Sequence, residues 1–489
     1  MGAIVGKKEK TNKIAINLQS NGLDSLSTSE DDINYDLDSN APQLANLNEL
    51  RNSVQVLDKL KSIDWGFESE KTNYLSHNLH PYPAKFIPQI PKYLINALSK
   101  SGELVWDPFG GSGTTALETI LLGRRAISTD LNPLAKLIGE AKTLTLTIEE
   151  DRALSDFVEQ LYELIDDDKN LSSIVEKNKE KIIQLIPEIP NIDSWFHSNA
   201  VIELAFIKWR ISLLDSVNCK TLSSAVFSKS ILRASYQDAE TRYVSKPREV
   251  ESGETIKIFT DHLSQSLKKV RKLGSVLQFR SADFETVDLR KPIDDKDTSS
   301  LKPNSVDLVV TSPPYPNTTD YHLYHRFRMF WLGFDPRTIG KSEIGSHLRH
   351  QKENSGFDQY IEEMTNCLDN VYEVLRPGRY AAFVVGDAIF KKTTYKSSEH
   401  LAEAAEKLGF SIVGTINRPL HKTKRSFVSS ARRLRTEQIL VLKKPSKNLN
   451  FTLAKPKYKM WEYEERLGKA EIESLTGKKL SKRNKGDIE

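Results

Sequence analysis

Apolar residues change their spacing several times along this 489-residue chain, and each change marks a different kind of element. Residues 1–45 are rich in Ser, Asn and Asp, with an acidic stretch at 29–38 and no sustained apolar period; they predict a disordered or loosely attached arm. A helical period appears over residues 47–60. Residues 80–98, HPYPAKFIPQIPKYLINAL, then carry prolines at 81, 83, 88 and 91 that enforce an extended approach, and Pro91 can open a helix through Leu98. A strand at 103–106, a helix at 114–122 and a second strand at 126–129 form one βαβ unit.

Between about residues 145 and 273 the pattern becomes long amphipathic helical stretches, such as 149–165 and 201–214, interrupted by Pro187 and Pro190. This is an insertion of domain size. Strand-like runs resume at 276–280, 306–311, 380–386, 411–416 and 438–442, and no internal repeat is visible. Seven strand candidates, most with helices between them, predict an α/β fold: a seven-stranded, mostly parallel sheet with helices on both faces, plus a largely helical insertion. The expected divisions are an arm (1–45), a first part of the α/β domain (46–144), the insertion (145–275), a second part (276–445) and a basic tail (446–489).

Composition narrows the function classes. The hydrophobic share is 38%, and no apolar run approaches the roughly 20 residues needed to span a bilayer. The first residues, MGAIVGKKEK, lack a signal-peptide core, and Gly6 stands where a myristoylation signal has Ser or Thr, so a cytoplasmic location is expected. With only Cys219 and Cys367, neither a disulfide framework nor a cysteine-rich zinc site is available. The net charge of +4 permits a polyanionic partner without requiring one.

Two strand ends carry the chemistry. The first reads LVWDPFGGSGTT over residues 104–115: the glycines permit a tight turn and close backbone approach, and the helix that follows presents unpaired N–H groups to an anion. The Lys of a phosphate-binding P-loop is missing. The second reads VDLVVTSPPY over residues 306–315. Between them, the strand ending TDLNP puts Asp130 where a carboxylate can accept both hydrogens of a ribose diol.

Together these motifs resemble the amino-group DNA methyltransferases, over roughly residues 80–133 and 283–442. The resemblance implies the sheet of the class I (Rossmann-like) methyltransferases and S-adenosyl-L-methionine as donor. Asp107, Pro108, Phe109, Gly110, Gly111, Ser112, Gly113, Thr114 and Thr115 would then bind the donor with Asp130, Asn132, Pro133 and Thr311, and its carboxylate would sit at the helix amino terminus. Asp283 and Phe284, read as the end of the third strand, would meet the adenine ring. Tyr82, Lys85 and Phe86 lie in a segment, HPYPAKF, that resembles the family's upstream donor-binding segment, which folds over the methionine end.

The acceptor chemistry fits the second motif. An exocyclic amine is a poor nucleophile because its lone pair is delocalised into the ring. Two acceptors on its hydrogens localise that pair, and they act most strongly as charge develops in the transition state. Ser312 Oγ and the Pro313 carbonyl supply them, Pro314 stiffens the loop, and Tyr315 offers a face to an extruded base. No covalent enzyme intermediate or metal is needed. Methylation of a cytosine ring carbon is disfavoured, since both cysteines follow Asn rather than Pro. In the resembled family Ser at the first motif position is associated with N4 of cytosine and Asp with N6 of adenine, so Ser312 points to cytosine.

The partner implied is double-stranded DNA, in a restriction-modification or phage-defence setting with a cognate restriction endonuclease or other defence-system proteins. Arg326 and Arg328 are candidate phosphate contacts, as are Lys422, Lys424, Arg425, Arg432 and Arg433 in the basic run between the last two strands. The family's usual recognition region is missing, because only a short segment separates Asp283 from Thr311. The insertion with its polar stretch 233–253, the loop 340–356 and the basic run therefore compete for sequence reading. N6-adenine methylation, RNA methylation and a DNA-binding subunit without turnover are the alternatives.

Overall fold

The computed structural model describes residues 53–446 except 86, 241, 278–281, 294–299, 317–319, 347–355, 391–392 and 421–435. The expectations for the arm, for the tail beyond residue 446 and for Phe86, Lys422, Lys424, Arg425, Arg432 and Arg433 lie outside the described residues.

Helices α1 (Ser53–Lys61) and α2 (Gln89–Leu98) precede β1 (Leu104–Asp107), α3 (Thr114–Leu121), β2 (Arg125–Asp130) and α4 (Pro133–Thr143). The insertion comprises α5 (Ile148–Asp166), α6 (Asp168–Lys177), α7 (Lys179–Ile183), α8 (Ser198–Ser212), α9 (Val217–Ala234), a hairpin of β3 (Gln237–Ala239) and β4 (Arg242–Ser245), and α10 (Glu254–Leu277). Then come β5 (Ala282–Thr286), β6 (Val306–Thr311), α11 (Tyr321–Tyr324), α12 (Arg326–Leu332), α13 (Pro336–Ser342) and α14 (Phe357–Val374). The last elements are β7 (Leu375–Gly386), β8 (Ala388–Phe390), β9 (Thr393–Tyr395), α15 (Ser397–Lys407), β10 (Ser411–Pro419) and β11 (Thr436–Lys443).

The main sheet has seven strands in the order β10-β11-β7-β6-β1-β2-β5. All pairings are parallel except those of β11, which runs antiparallel to both β7 and β10. This is the class I methyltransferase sheet. Residues of β1 and β6 are buried throughout, as continuous apolar runs covered on both faces should be. One face packs α14 and α15 through Tyr360, Met364, Leu368 and Leu401, and the other packs α1 and α2 through Leu60, Ile90 and Leu94. A third core fills the insertion and includes Phe327 and Trp331 of α12, so the insertion is knitted into the second half of the domain. No helix among the described residues is long and apolar enough to cross a membrane.

One strand lies elsewhere than the sequence pattern suggests. Val276 and Leu277 belong to the last turn of α10, whose buried Leu263, Leu267, Val270, Leu273 and Leu277 keep helical spacing; the strand beside β2 begins at Ala282. A short apolar run read locally as a strand was the end of a longer helical stripe. The hairpin β3–β4 inside the insertion was not anticipated.

Topology fixes where a ligand can sit. β1 has β2 on one side and β6 on the other, so chain order reverses between β1 and β6, and the crevice outside their carboxyl ends is the natural binding site of a doubly wound sheet.

Candidate active site

A cavity of about 900 Å³ of empty space, including its open mouth, lies at that reversal. It is lined by Gly110, Gly111, Ser112 and Asp130 from the β1 and β2 ends, and by Ser312 and Pro314 from the β6 end. Tyr82, Tyr321, Ile339, Glu343 and Ile344 add a wall from outside the sheet.

The glycine-rich loop is built without slack. Gly110 N–H donates to the Thr129 carbonyl (2.9 Å), and a Cβ at 110 would lie 1.8 Å from Ser128 Oγ, so the loop can hug β2 only with glycine there. Gly113 caps α3 at φ +73°, and its missing Cβ would stand 2.9 Å from the Gly139 Cα of α4. Ser112 is buried and accepts a hydrogen bond from Lys142 Nζ (3.0 Å). Lys142 makes no ion pair among the described residues, and burial pushes its ammonium well below the usual lysine range.

Asp130 closes the loop from the next strand. Its carboxylate accepts from Gly111 N–H (2.8 Å) and Asn132 N–H (2.8 Å), while the Asn132 side chain caps α4 by accepting from Leu134 N–H. Burial pushes the Asp130 carboxyl up to about 6 against these two bonds. Asp107 sits one layer deeper and also stands at about 6, chiefly from burial. It accepts from Phe109 N–H (3.1 Å) and from Thr311 Oγ1 (2.6 Å), a direct bond between the ends of β1 and β6.

The segment around Tyr82 is laced onto the helices behind the loop. Tyr74 Oη donates to Glu118 (2.6 Å), His77 Nε2 meets the same carboxylate (2.7 Å), Ser76 Oγ donates to the Lys142 carbonyl (2.6 Å), and Lys85 Nζ donates to the His77 carbonyl (3.0 Å). Tyr82 is thereby set over Gly111, 3.3 Å from where a Cβ would stand.

On the acceptor side Ser312 and Pro314 face the cavity, whereas Pro313 and Tyr315 do not line it. The Tyr315 ring packs on Gly386, where a Cβ would come within 2.9 Å of Cε2, and its hydroxyl donates to Glu437 Oε1 (3.0 Å). Glu437 is held in turn by Arg418, and the Ser312 hydroxyl lies close enough to act on the Tyr315 phenol. Tyr82 and Tyr321 do face the cavity, with ring centroids 5.8 Å apart, as does Phe109. Glu343 fixes this wall by accepting from Tyr321 N–H (2.6 Å) and pairing with His322 Nδ1. Ligand-type atoms of Asp320, His322 and Glu343 lie within 4.8 Å of one another, but the last two are already engaged together.

Of the residues expected at the donor, Tyr82, Lys85, Pro108, Phe109, Gly110, Gly111, Ser112, Thr114, Asp130 and Asn132 line the cavity. Asp107, Gly113, Thr115, Pro133 and Thr311 stand outside its lining, as parts of the frame. Asp283 and Phe284 need correcting. The strand runs on to Thr286, leaving Asp283 exposed in mid-strand, while Phe284 packs behind the loop against Gly113 and Gly139. The strand-end residues at the cavity are Val287, Asp288 and Leu289.

The arginines expected on DNA are also placed otherwise. Arg328 is 1% exposed and forks onto Glu240 (2.6 and 2.8 Å), with Nε on the Ser228 carbonyl. The Arg326 guanidinium lies over the rings of Trp195 (4.4 Å), Phe327 (4.4 Å) and Tyr243 (4.9 Å). Both hold the insertion to α12. The sequence reading missed Glu118, Lys142, Asp288, Tyr321, Glu343 and Glu437, none of which sits in a recognisable motif; only spacing from α3 and α4 could have singled out the first two.

The chain matches a family model described as DNA methylase over residues 4–140 and 306–487, more than half its length. It is similar to the type II methyltransferase M.MvaI of Kocuria varians, at 29% identity over 55% of this chain and 60% of that protein. It is also similar to M.MjaII of Methanocaldococcus jannaschii, at 25% identity over 74% and 81%, and to M.BsoBI of Geobacillus stearothermophilus, at 24% over 61% of each. The match to the first of these thus spans about three fifths of its length.

Proposed function

The chain belongs to the DNA methylase family, and from that premise we propose that it transfers a methyl group from S-adenosyl-L-methionine to an exocyclic amine in duplex DNA, with N4 of cytosine as the target. One observation carries the reading: the glycine-rich loop with Asp130, and the Ser312–Pro314 loop, line a single cavity.

The residues suit the donor. N–H groups at the start of α3, with Lys85 at the lip, suit its carboxylate. Asp130 keeps carboxylate lone pairs for ribose hydroxyls beyond those used by Gly111 and Asn132. Phe109, Val287 and Leu289 offer apolar enclosure for the adenine ring, with the Asp288 carboxylate beside them. When bound, the donor supplies an electrophilic methyl group on a sulfonium.

The protein's own part is to hold the base and its hydrogens. A target extruded from the duplex, at a cost of a few kcal/mol, enters beside Tyr82 and Tyr321, which take the stacking role first expected of Tyr315. Tyr315 donates to Glu437 and so can accept from Ser312, which leaves Ser312 Oγ free to accept an amine hydrogen. The Pro313 carbonyl, expected on the other hydrogen, belongs to a residue outside the cavity lining, so Ser312 is the acceptor the site supplies. This polarised chain localises the nitrogen lone pair without any covalent intermediate. A cognate restriction endonuclease or other defence proteins acting on the same DNA site is the setting this activity implies, supported by the type II naming of the three relatives.

The test is transfer of radiolabelled methyl groups to mixed-sequence duplex DNA by wild-type protein and by Ser312→Ala. Label retained by wild type and lost by the variant is expected. No transfer by wild type to any duplex, with transfer to structured RNA instead, would replace DNA as the substrate.

A further inference from the structure

Neither the catalytic cavity nor the core accounts for a face of the insertion that combines uncompensated lysines with an exposed hairpin. Lys85 stands at the cavity lip. Beyond it, Lys269 of α10 feels the positive charges of Lys85 and Lys229, and Lys229 and Arg233 of α9 both act on His262. Lys85 and Lys269 reach the adjacent carbonyls of His77 and Asn78, and α9 meets α10 where Ser230 Oγ bonds His262 Nδ1 (2.9 Å), so these cations follow one another along the two helices. Lys85 and Lys269 donate only to the backbone carbonyls of His77 and Asn78, and among the described residues none of Lys85, Lys229 and Lys269 makes an ion pair. Burial, and after it the neighbouring Lys229 and Lys85, pushes the Lys269 ammonium down to about 8.

Past the end of α9 the track reaches the β3–β4 hairpin. Its outer strand exposes Arg242, Tyr243 and Val244, the last two at 42% and 51%. Arg242 and Lys246 share one carboxylate, Asp238 (2.9 and 2.5 Å), so the hairpin keeps a positive excess. The other hairpin carboxylate, Glu240, is taken by the buried Arg328. That fork, together with Tyr243 over Arg326, anchors the hairpin to α12, the helix after the one that carries the cavity residue Tyr321. An exposed apolar and cationic ribbon is thus fixed to α12, with Tyr243 near enough to feel Asp320 and the cavity-wall residue Glu343.

We propose that this face of the insertion is the docking surface for the substrate duplex, with Lys229 and Lys269 on its phosphates and the β3–β4 hairpin in its major groove. The inference rests on the proposed activity. A two-stranded ribbon matches the width of the major groove, where Arg reads guanine and apolar side chains meet the thymine methyl. The lysine track supplies the sequence-independent part of binding, which should be strongly salt-dependent.

Two variants of the full chain test it. Lys229→Gln/Lys269→Gln keeps the stems that pack on the helices. By fluorescence anisotropy on a mixed-sequence duplex it should bind several-fold more weakly, with the slope of log affinity against log salt shallower by roughly 2. Arg242→Ala/Val244→Ala leaves the Tyr243–Arg326 contact intact; sequencing of methylated products should show relaxed preference at one or more positions, by roughly ten-fold. Donor affinity should stay at the wild-type value in both. Unchanged affinity, slope and preference, with wild type transferring methyl groups normally, overturns the docking face alone. A changed slope with unchanged preference overturns the hairpin's part in it. Salt-sensitive binding through the lysines by a wild type that transfers nothing leaves the face standing and removes the proposed activity.

Discussion

The donor loop and the acceptor loop end neighbouring strands and open on the same cavity, yet they are held in different ways. The donor loop is closed by its immediate surroundings: Gly110 on Thr129, Gly111 and Asn132 on Asp130, Ser112 on Lys142. The acceptor loop is held by Tyr315 on Glu437 of β11, and the cavity opposite it is walled by Tyr321 and Glu343. A loop closed locally is rigid before any ligand arrives, which suits a site that must grip one constant donor. One assembled from remote segments can be adjusted through any of them, which suits a site that must admit a base and act on it. Asp107 and Thr311 join the two loops by one buried hydrogen bond.

The sharpest way to separate the halves is Ser312→Ala. It removes an acceptor that counts most in the transition state, so turnover should fall by roughly 10²–10³ while donor affinity stays within about two-fold. Equal loss of both, in single-turnover assays with separate donor titration, would mean that the halves are not distinct. Asp130→Ala should do the reverse. Donor binding should weaken by about ten-fold or more, and the unpaired Gly111 and Asn132 N–H groups should cost about 1–3 kcal/mol of stability in denaturant melts.

Gly139→Ala tests the rigid frame behind the donor loop. Its Cβ would stand 2.2 Å from the Phe284 ring, so a loss of about 1–3 kcal/mol is expected, with weaker donor binding; an unchanged melt would show that the frame yields.

Asp130 and Asp107 make the two loops respond to pH. Both carboxyls stand at about 6 in the folded chain, against an ordinary 3.8. The folded state therefore holds more protons than the unfolded state between about pH 4 and 6, and the stability these groups contribute falls as pH rises through that window. Donor affinity should run the opposite way, rising towards and above about pH 6 as Asp130 ionises. Asp130→Asn should remove its share of both trends, and identical pH profiles in wild type and variant would contradict that. Smallest is Tyr315→Phe, which cuts the link from Ser312 to Glu437. A loss of about 0.5–1.5 kcal/mol, read as a several-fold lower turnover with unchanged donor affinity, is expected.

The same contrast explains what the sequence made legible. Donor residues 108–112 and Asp130 come from two contiguous motifs on adjacent strands, and the sheet reading followed from apolar runs such as 306–311. Asp288 was missed because helical spacing running to Leu277 displaced the third strand by several residues, and the strand's end moved with it. Arg326 and Arg328 were misread because side chains on one short helix point to different partners. Their partners, Tyr243 and Glu240, lie far back in a hairpin whose polar residues show no strand alternation. Glu343 and Glu437 carry no local signature at all. Pairings between residues far apart in the chain are what a linear pattern cannot express.

The proposed chemistry brings a donor and an extruded base together in one cavity, with Ser312 on the amine. Incubating wild-type protein with methyl-deuterated S-adenosyl-L-methionine and mixed-sequence duplex, then digesting the DNA to nucleosides for mass analysis, tests it most directly. Deuterium is expected in N4-methylcytosine. Deuterium in N6-methyladenine would overturn the choice of base, and its appearance on cytosine carbon 5, or on no base, would rule out transfer to an exocyclic amine in this cavity.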